Sequence, residues 1–406
     1  MTVSPTETRR VVRPGSPELV EFVAAVAEDA RRRRDEGGTE PPNAALAQVR
    51  QLRLGAVRVP VESGGGGWSV TELFDLLIDL AEADPDLPHI LRIHFTFVEE
   101  LFAQPRTDQK ARWVPLVVAG FLFGGALTEL NGKPVGDQSY DTTLTPRSEG
   151  GYVLDGRKFY STGSRFSDYL RVSAKLPDDA LLTAVVPADR AGVTHVDDWD
   201  GIGQRHTGSG TTVLTNVVVD ESETLPWRGT GLPVRPRQAF QQLYLHALAA
   251  GILRSVATDA AELLRTRKRN FVFANDEQPR RDPQLLEVVG TLSATAFATE
   301  SIVRAAAQAQ EVSFAAARDT GFDAQLESEA SVLAAKAKVS IEDPALRAAA
   351  RLFEVGGASA TRASAHLDRH WRNLRTLFSH NPTAYKARVL GDLLVNDTPL
   401  PDAGHI

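Results

Sequence analysis

The apolar and polar positions of the chain follow a helical period over residues 1–120. The Ser-Pro-Glu sequence at 16–18 is typical of a helix start: a hydroxyl cap, a proline without an amide, and a carboxylate at the positive dipole end. Ser69 and Glu72 have the spacing of a capping box before a long apolar run. The period predicts further helices over 43–55, 89–102 and 108–118. We therefore predict an N-terminal α-helical domain.

The period changes to two after Gly120, where short segments rich in Val, Thr, Tyr and Leu alternate with turn residues. The segments are FGGALTEL, DTTLTP, GYVLDGRKFYST, YLRVSAKL, ALLTAVVP and TTVLTNVVVD. This alternation predicts an antiparallel β-domain over 121–232, with its last strand ending near Asp220. Its final residues, from about 225 onwards, are rich in Pro and Gly and are predicted to be a linker to the next domain.

Residues 233–406 are rich in Ala and return to the helical period. Long helices joined by short links indicate a four-helix bundle, with helices predicted over 237–273, 283–318, 324–355 and 358–371. Pro382 is predicted to open one further helix that has Tyr385 and Lys386 in its first turn. The predicted fold class is α+β, in the order N-terminal α-helical domain, middle β-domain, C-terminal helical bundle.

Composition narrows the class of protein. The 406 residues carry a net charge of −7, which argues against nucleic acid as the main partner. The absence of cysteine excludes disulfides, thiolate nucleophiles and cysteine-ligated metals, and no pair of histidines has a convincing metal-ligand setting. The uncharged stretch 113–128 contains Pro and Gly and is shorter than a membrane span, and the N-terminus is unlike a signal peptide. We therefore predict a cytoplasmic protein that binds no metal.

Candidate chemistry is concentrated in the segment HWRNLRTLFSHNPTAYKARVLGD, which covers 370–392. It places Trp371, Arg372, Asn373, Arg375 and His380 within ten residues. Several hydrogen-bond donors beside a histidine that ordinarily titrates near neutrality suit an anionic or redox-active ligand. The alternative is a solvated polar loop between two helices, because charged clusters usually lie at the surface.

Two strings of the β-domain resemble the acyl-CoA dehydrogenase superfamily of flavoproteins: ALTEL at 126–130 and GYVLDGRKFYSTGS at 151–164. The C-terminal segment, with HNP at 380–382, instead resembles the flavin monooxygenases built on that fold, the dibenzothiophene monooxygenase and sulfur acquisition oxidoreductase group. Strings at 83–99 and 198–211 also resemble this group. Leu377 departs from it, because the dibenzothiophene enzymes have a second His there, and this leaves the substrate open.

The resemblance implies roles for individual residues. Expected contacts to the flavin are Thr128, Tyr160, Ser161, Thr162, Trp199, Arg372 and Asn373. Arg269 is expected to reach a flavin phosphate across a subunit interface, which implies an oligomer, expected to be a homotetramer; the alternative is a basic helix face. Expected catalytic residues are His94, Thr162 and His380. The alternative for His94 is a core histidine within an apolar run, which its position taken alone favours, and the alternative for His380 is a helix cap. The other histidines, His89 among them, are assigned to structural roles.

The implied function is a two-component flavin monooxygenase. A separate reductase would supply reduced FMN, O₂ would add to give a C4a-hydroperoxide, and a small sulfur- or nitrogen-containing substrate would be oxygenated. FAD is the less favoured cofactor. The chain shows no GxGxxG motif for a nicotinamide of its own. One alternative is an FAD-dependent acyl-CoA dehydrogenase, which needs a carboxylate base, yet no Glu follows Glu354. The other is a flavin-binding protein without catalysis.

Overall fold

The N-terminal part of the computed structural model is helical, and its capping residues are those predicted. The structure describes residues 11–401 apart from 39, 103–106, 131, 133, 135–138, 227–235, 320 and 322. The Oγ of Ser16 accepts a hydrogen bond from the Leu19 amide, and Ser69 and Glu72 form the predicted capping box. The helices are α1 (Pro17–Asp35), α2 (Asn43–Gln51), α3 (Val70–Ala83), α4 (Asp86–Phe102) and α5 (Thr107–Ala119). Helix α2 ends earlier than predicted because Arg53 adopts a left-handed conformation (φ 53°).

The middle part is one sheet whose strands lie in the order β6-β7-β3-β2-β4-β5-β8, with β1 beside β4. The strands are β1 (Phe123–Ala126), β2 (Thr143–Pro146), β3 (Tyr152–Lys158), β4 (Tyr169–Lys175), β5 (Leu181–Pro187), β6 (Val193–Val196), β7 (Thr211–Val219) and β8 (Thr224–Pro226). The antiparallel expectation holds for most pairs but is wrong for β1–β4 and β2–β4, which are parallel. Long connections separate these strands in the chain, and such connections permit parallel pairing.

Strand β6 was not predicted, and its burial explains why. It lies at one end of the strand order, and its residues alternate between half-buried and exposed. An edge strand without a fully buried face carries little of the apolar alternation by which a strand is recognised in sequence. Much of the predicted Pro- and Gly-rich linker, 227–235, lies outside the described residues.

The C-terminal part contains the long helices α6 (Pro236–Thr266), α7 (Pro283–Asp319) and α8 (Ala324–Gly356), followed by α9 (Asp368–Phe378) and α10 (Thr383–Asn396). Helix α6 packs on α7, α8 and the N-terminal α3, so one apolar core runs through both helical parts. By length and composition helix α7 could cross a membrane, but it packs against α6 and α8 in this bundle. The predicted start of α10 after Pro382 is confirmed.

The predicted helix over 358–371 is wrong. Short 3₁₀ turns occupy Gly357–Thr361 and Ala363–Ala365, and His366 is left-handed (φ 50°), so the chain turns before α9 begins at Asp368. Helix α6 also ends seven residues before the predicted position 273. Beyond its end, the Arg267 side chain donates hydrogen bonds to the carbonyl oxygens of Arg269 and Val355, which fixes a turn in place of another helical turn.

Helix α4 meets the β-domain through a contact that requires glycine. Gly163 has φ 78°, and a Cβ atom there would lie 2.4 Å from the carbonyl oxygen of Ile90. The segment Tyr160–Gly163 and the first turns of α4 therefore touch backbone to backbone. This contact packs the start of α4, which carries His89, against the segment that carries Ser161 and Thr162.

Replacing Gly163 tests this junction. We expect Gly163→Ala to destabilise the protein by at least about 1–3 kcal/mol, because alanine meets both backbone strain and the Ile90 carbonyl. Gly290→Ala is the matched control, since that glycine lies within α7 with open space around its Cα. The control should be neutral or stabilising by up to about 1 kcal/mol. Thermal unfolding measures both, and equal melting temperatures for the two variants would contradict the proposed contact.

Candidate active site

The edge of the β-domain next to α4 gathers the residues expected to contact a flavin there. The Thr128 carbonyl oxygen accepts a hydrogen bond from the Phe159 amide at 2.8 Å, which places Thr128 beside the start of the segment Tyr160–Thr162. The Tyr160 ring meets the Trp199 indole edge to face, with ring centroids 6.0 Å apart. Tyr160 is 55% exposed and left-handed, so its ring stands out from the sheet edge.

Hydroxyl groups line the same edge. The Thr162 and Ser209 hydroxyls are 2.8 Å apart, the Ser209 and Thr207 hydroxyls 2.7 Å, and the Thr207 hydroxyl donates to the Gln204 carbonyl oxygen. The same carbonyl oxygen accepts the Trp199 indole N–H at 2.9 Å. The Ser161 Oγ is different, because it is buried and has no hydrogen-bond partner in the described part of the chain. An orphaned buried hydroxyl is a candidate ligand contact.

His89 faces this edge from α4. Its Nδ1 lies 2.8 Å from the Gln204 side-chain oxygen, so Nδ1 carries the proton and donates. Its Nε2 then has a free lone pair, and this atom is buried without a partner among the described residues. Burial, followed by the positive charge of Arg92, holds the pKa of His89 well below its usual value. His89 is therefore a neutral hydrogen-bond acceptor.

His380 lies next to His89, with their ring centroids 5.4 Å apart. Its Nδ1 donates to the Leu377 carbonyl oxygen at 3.2 Å, so it also caps the end of α9 and keeps Nε2 unprotonated. Burial and then Arg92 lower the pKa of His380 to about 3. The expectation of a group titrating near neutrality is thus wrong for His380, because a low-polarity setting beside a cation disfavours the imidazolium form.

His94 lies apart from this pair. Its Nε2 bonds the Gly55 carbonyl oxygen at 2.9 Å, and its Nδ1 accepts the Phe123 amide at 3.2 Å. Burial lowers its pKa to about 4, and its ring packs between Phe95 and Phe123. With both ring nitrogens held by backbone groups, His94 joins α4 to the N-terminal part and β1. We do not retain it as a catalytic candidate.

Arg372 and Asn373 line a different space. This cleft of about 200 Å³ lies between the end of α1, the α3–α4 turn, the 201–206 loop and α9. Arg372 pairs with Asp368 at 3.0 Å, and its Nε is buried without a hydrogen bond in the described chain. The Asn373 side-chain oxygen accepts the Gln204 amide at 2.8 Å. Asn373 therefore positions the loop around Gln204, whose side chain contacts His89.

Arg269 is remote from these residues within one chain. It lies in the exposed turn that follows α6, beside the apolar side chains of Phe271, Val272 and Phe273, which are 72%, 89% and 96% exposed. The position is compatible with the expected contact across a subunit interface, which stays a prediction.

Sequence reasoning missed His89, Arg92 and Gln204. His89 and Arg92 are three residues apart in an apolar run, so a helix places both on one face. His94 follows His89 by five residues, which rotates it by about 140° around the helix. Polar residues at helical spacing inside an apolar run were the available signal. Which face met the β-domain depended on the fold.

Comparison with known proteins places the chain among flavoproteins. The family profile "Acyl-CoA dehydrogenase, N-terminal domain" matches residues 17–121, the middle-domain profile 125–217, and the C-terminal-domain profile 243–384. A dibenzothiophene monooxygenase of Mycolicibacterium goodii is 30% identical over 375 residues, covering 87% of each chain. A probable FMNH₂-dependent monooxygenase of Pseudomonas putida is 29% identical, covering 95% of each. The methanesulfinate monooxygenase of Pseudomonas fluorescens superposes with a TM-score of 0.86 at 28% identity, covering 96% of this chain and 100% of that one.

The buried neutral histidines predict a pH-dependent stability. The pKa values of His94 and His370 are lowered to about 4 and that of His380 to about 3, so the unfolded chain binds more protons than the folded chain below pH 6.5. The free energy of unfolding should therefore fall between pH 6.5 and pH 4, by up to about 1.4 kcal/mol per pH unit for each such histidine. Urea unfolding at pH 7 and 5 measures this loss. His380→Gln should reduce the slope by about one proton, and equal stability of the wild type at both pH values would contradict the burial described.

Proposed function

We propose a substrate class and a mode of electron supply for this chain. The chain belongs to the acyl-CoA dehydrogenase superfamily and, within it, to the flavin-dependent monooxygenases. It takes reduced FMN from a separate reductase and transfers one oxygen atom of O₂ to a small organosulfur compound. The observation that carries the proposal is the adjacent pair of imidazoles of His89 and His380, whose ring centroids are 5.4 Å apart, together with the buried and unpartnered atoms His89 Nε2 and Ser161 Oγ.

The residues at this edge fit a flavin. Thr128 is exposed, and the buried Ser161 hydroxyl has no hydrogen-bond partner among the described residues. The Tyr160 and Trp199 rings form an aromatic wall. A flat heteroaromatic ring with polar atoms on one edge needs such a combination of apolar walls and hydrogen-bond donors. Bound in reduced form, FMN supplies the two electrons of the reaction and the site at which O₂ reacts.

The chain's own residues would control protons and water at that site. The Ser161 hydroxyl can donate a hydrogen bond, and the Nε2 atoms of His89 and His380 can accept one each. Because both imidazoles are neutral, they can hold a proton-bearing group in place without adding charge. The burial of His89 would help to keep bulk water from the reacting oxygen and so limit its loss as H₂O₂.

Sulfur oxidation is supported by the relatives. One acts on dibenzothiophene and a structural neighbour on methanesulfinate, two chemically different sulfur compounds. The acyl-CoA dehydrogenase alternative needs a carboxylate base at the flavin. None of the side chains proposed to contact the flavin at the β-domain edge is a carboxylate. This favours oxygen transfer over removal of a proton from a carbon acid.

The assembly we propose is a homotetramer in the cytoplasm. The exposed tip formed by Phe271, Val272 and Phe273 presents apolar side chains next to Arg269. Burying this tip against a second copy would remove it from water and carry Arg269 towards the FMN of that copy. Apolar groups of this size exposed together are typical of an interface.

The proposed function predicts that His89→Gln and His380→Gln uncouple O₂ consumption from formation of oxygenated product. Each variant should keep FMN binding within about threefold and form oxygenated product at least about tenfold more slowly, because an oriented proton acceptor has been lost. O₂ consumed with reduced FMN should appear as H₂O₂. Thr162→Ala should show a milder effect, since its hydroxyl is already bonded to Ser209.

The control for the histidine variants is His195→Gln. His195 lies on β6, where its Nε2 contacts the Ala188 carbonyl oxygen, away from the candidate site. It should couple O₂ use to product as the wild type does. Product and H₂O₂ are quantified in the same single-turnover sample. Equal coupling in the wild type and in both site variants would show that the pair has no part in oxygen transfer.

The proposed assembly predicts that Arg269 contributes to FMN binding. Arg269→Ala should weaken FMN binding by about tenfold or more, as expected for loss of a hydrogen bond to a charged group. Lys268→Ala is the matched control, because that neighbouring side chain is equally exposed in one chain. Equilibrium titration gives the affinity, and sedimentation gives the assembly state. A monomer that binds FMN and turns over normally would overturn the shared-site arrangement.

A further inference from the structure

Arg92 has an unusual position on α4. From Asp86 to Leu101 every residue of this helix is buried except Arg92, which is half-buried. Helix α4 packs against α3, α5, α6 and β1, so Arg92 is the accessible position in the middle of a helix that is otherwise enclosed. Arg92 follows His89 by one helical turn and so shares its face. The positive charge of Arg92 also contributes, after burial, to the lowered pKa of both His89 and His380, in agreement with this shared face.

Arg92 also has no counter-ion. In the described part of the chain its guanidinium forms no ion pair, and its Nε is buried without a hydrogen-bond partner. The fully buried arginines behave differently: Arg33 pairs with Asp84, Arg58 with Glu99, and Arg171 with Glu100. Tyr244, which also lies near Arg92, is neutral and donates its hydroxyl to the Pro88 carbonyl oxygen.

An unpaired cation in a low-polarity site costs free energy. Burial lowers the pKa of Arg92 to about 10, so the group is still charged at neutral pH. A charge kept in this setting is compensated when an anion binds. A guanidinium presents two parallel N–H groups, which match the paired oxygens of an oxyanion.

We propose that Arg92 binds the anionic oxygens of the substrate, and that the substrate is a small organosulfur oxyanion of the alkanesulfinate class. The inference rests on the proposed function and narrows it, because it excludes neutral aromatic sulfides as the preferred substrate. A sulfinate held by its oxygens retains a sulfur lone pair to receive the new oxygen. The balanced reaction is RSO₂⁻ + O₂ + FMNH₂ → RSO₃⁻ + FMN + H₂O. Sulfur is oxidised by two electrons, FMNH₂ loses two electrons and two protons, and the second oxygen atom leaves as water.

Direct binding tests the inference without turnover. Methanesulfinate and the neutral dimethyl sulfone, which is of similar size, are titrated calorimetrically into the full-length protein with oxidised FMN. The wild type should bind the sulfinate at least about tenfold more tightly than the sulfone, as expected for hydrogen bonds to a charged group. Arg92→Met should lose this preference, and Arg92→Lys should keep part of it.

Arg147→Met is the control for the loss of one positive charge. Arg147 lies in the turn between β2 and β3 and pairs with Glu149, so its removal should leave sulfinate binding unchanged. Removing an unpaired buried charge should not impair folding, and Arg92→Lys supplies the test if Arg92→Met is unstable. The inference is overturned if Arg92→Met binds methanesulfinate as the wild type does. It is overturned equally if the wild type binds the sulfone as tightly as the sulfinate.

Two further measurements separate this inference from the proposed function. FMN affinity should be unchanged in Arg92→Met; a loss of FMN binding with the sulfinate preference retained would make Arg92 a flavin contact and overturn the inference. Oxygenation is then measured with reduced FMN and O₂. Sulfinate binding that depends on Arg92 without any oxygenated product supports the anion site and contradicts the proposed function. Equal oxygenation of methanesulfinate by the wild type and Arg92→Met leaves the function intact and rejects the anion site.

Discussion

The loop that carries Gln204 is hydrogen-bonded to all three parts of the chain. Its amide donates to Asn373 on α9, its carbonyl oxygen accepts from Trp199 and Thr207 of the β-domain, and its side chain binds His89 on α4. Gln204 is buried and left-handed (φ 53°), a conformation that is strained for a residue with a side chain. Such strain persists where surrounding bonds fix it. These bonds set the orientation of His89 relative to the aromatic wall.

The backbone contact between Gly163 and Ile90 supplies the second constraint. It holds α4 against the sheet edge at a distance that no side chain would permit. Gln204 then fixes the rotation of the His89 ring, while the end of α9 fixes His380 through the Leu377 carbonyl oxygen. The two imidazoles thus come from different domains, and each has one nitrogen committed to the fold and one free. Correct domain packing is therefore a condition for the site to exist.

Much of the architecture could be predicted from sequence because its signals are local. The caps at Ser16 and Ser69, the proline before α10 and the alternation of the buried strands depend on residues a few positions apart. Strand β6 and the turns over 357–366 carried no such signal, since their conformations depend on the sheet edge and on packing.

The candidate site was only partly predictable for a related reason. The strings around Tyr160 and His380 were recognisable, but the choice between His89 and His94 required knowing which face of α4 meets the β-domain. The local sequence does not single out that face, because apolar residues surround both histidines and nearly all of α4 is buried. Protonation states were also inaccessible, since the low pKa of His380 arises from burial and from Arg92, a residue remote in sequence.

The chemistry of the two walls of the site differs in a way that fits their separate tasks. The β-domain wall offers the hydroxyls of Ser161 and Thr162 and the rings of Tyr160 and Trp199, which carry no charge and so suit a planar group whose own charge changes during reaction. The α4 wall offers one neutral acceptor, His89, and one uncompensated cation, Arg92. A cation placed among the flavin contacts would act on every oxidation state of the flavin. Placed on α4 beside His89, the guanidinium acts most strongly on the substrate. The α4 wall therefore selects the substrate by charge, while the β-domain wall binds the cofactor by shape.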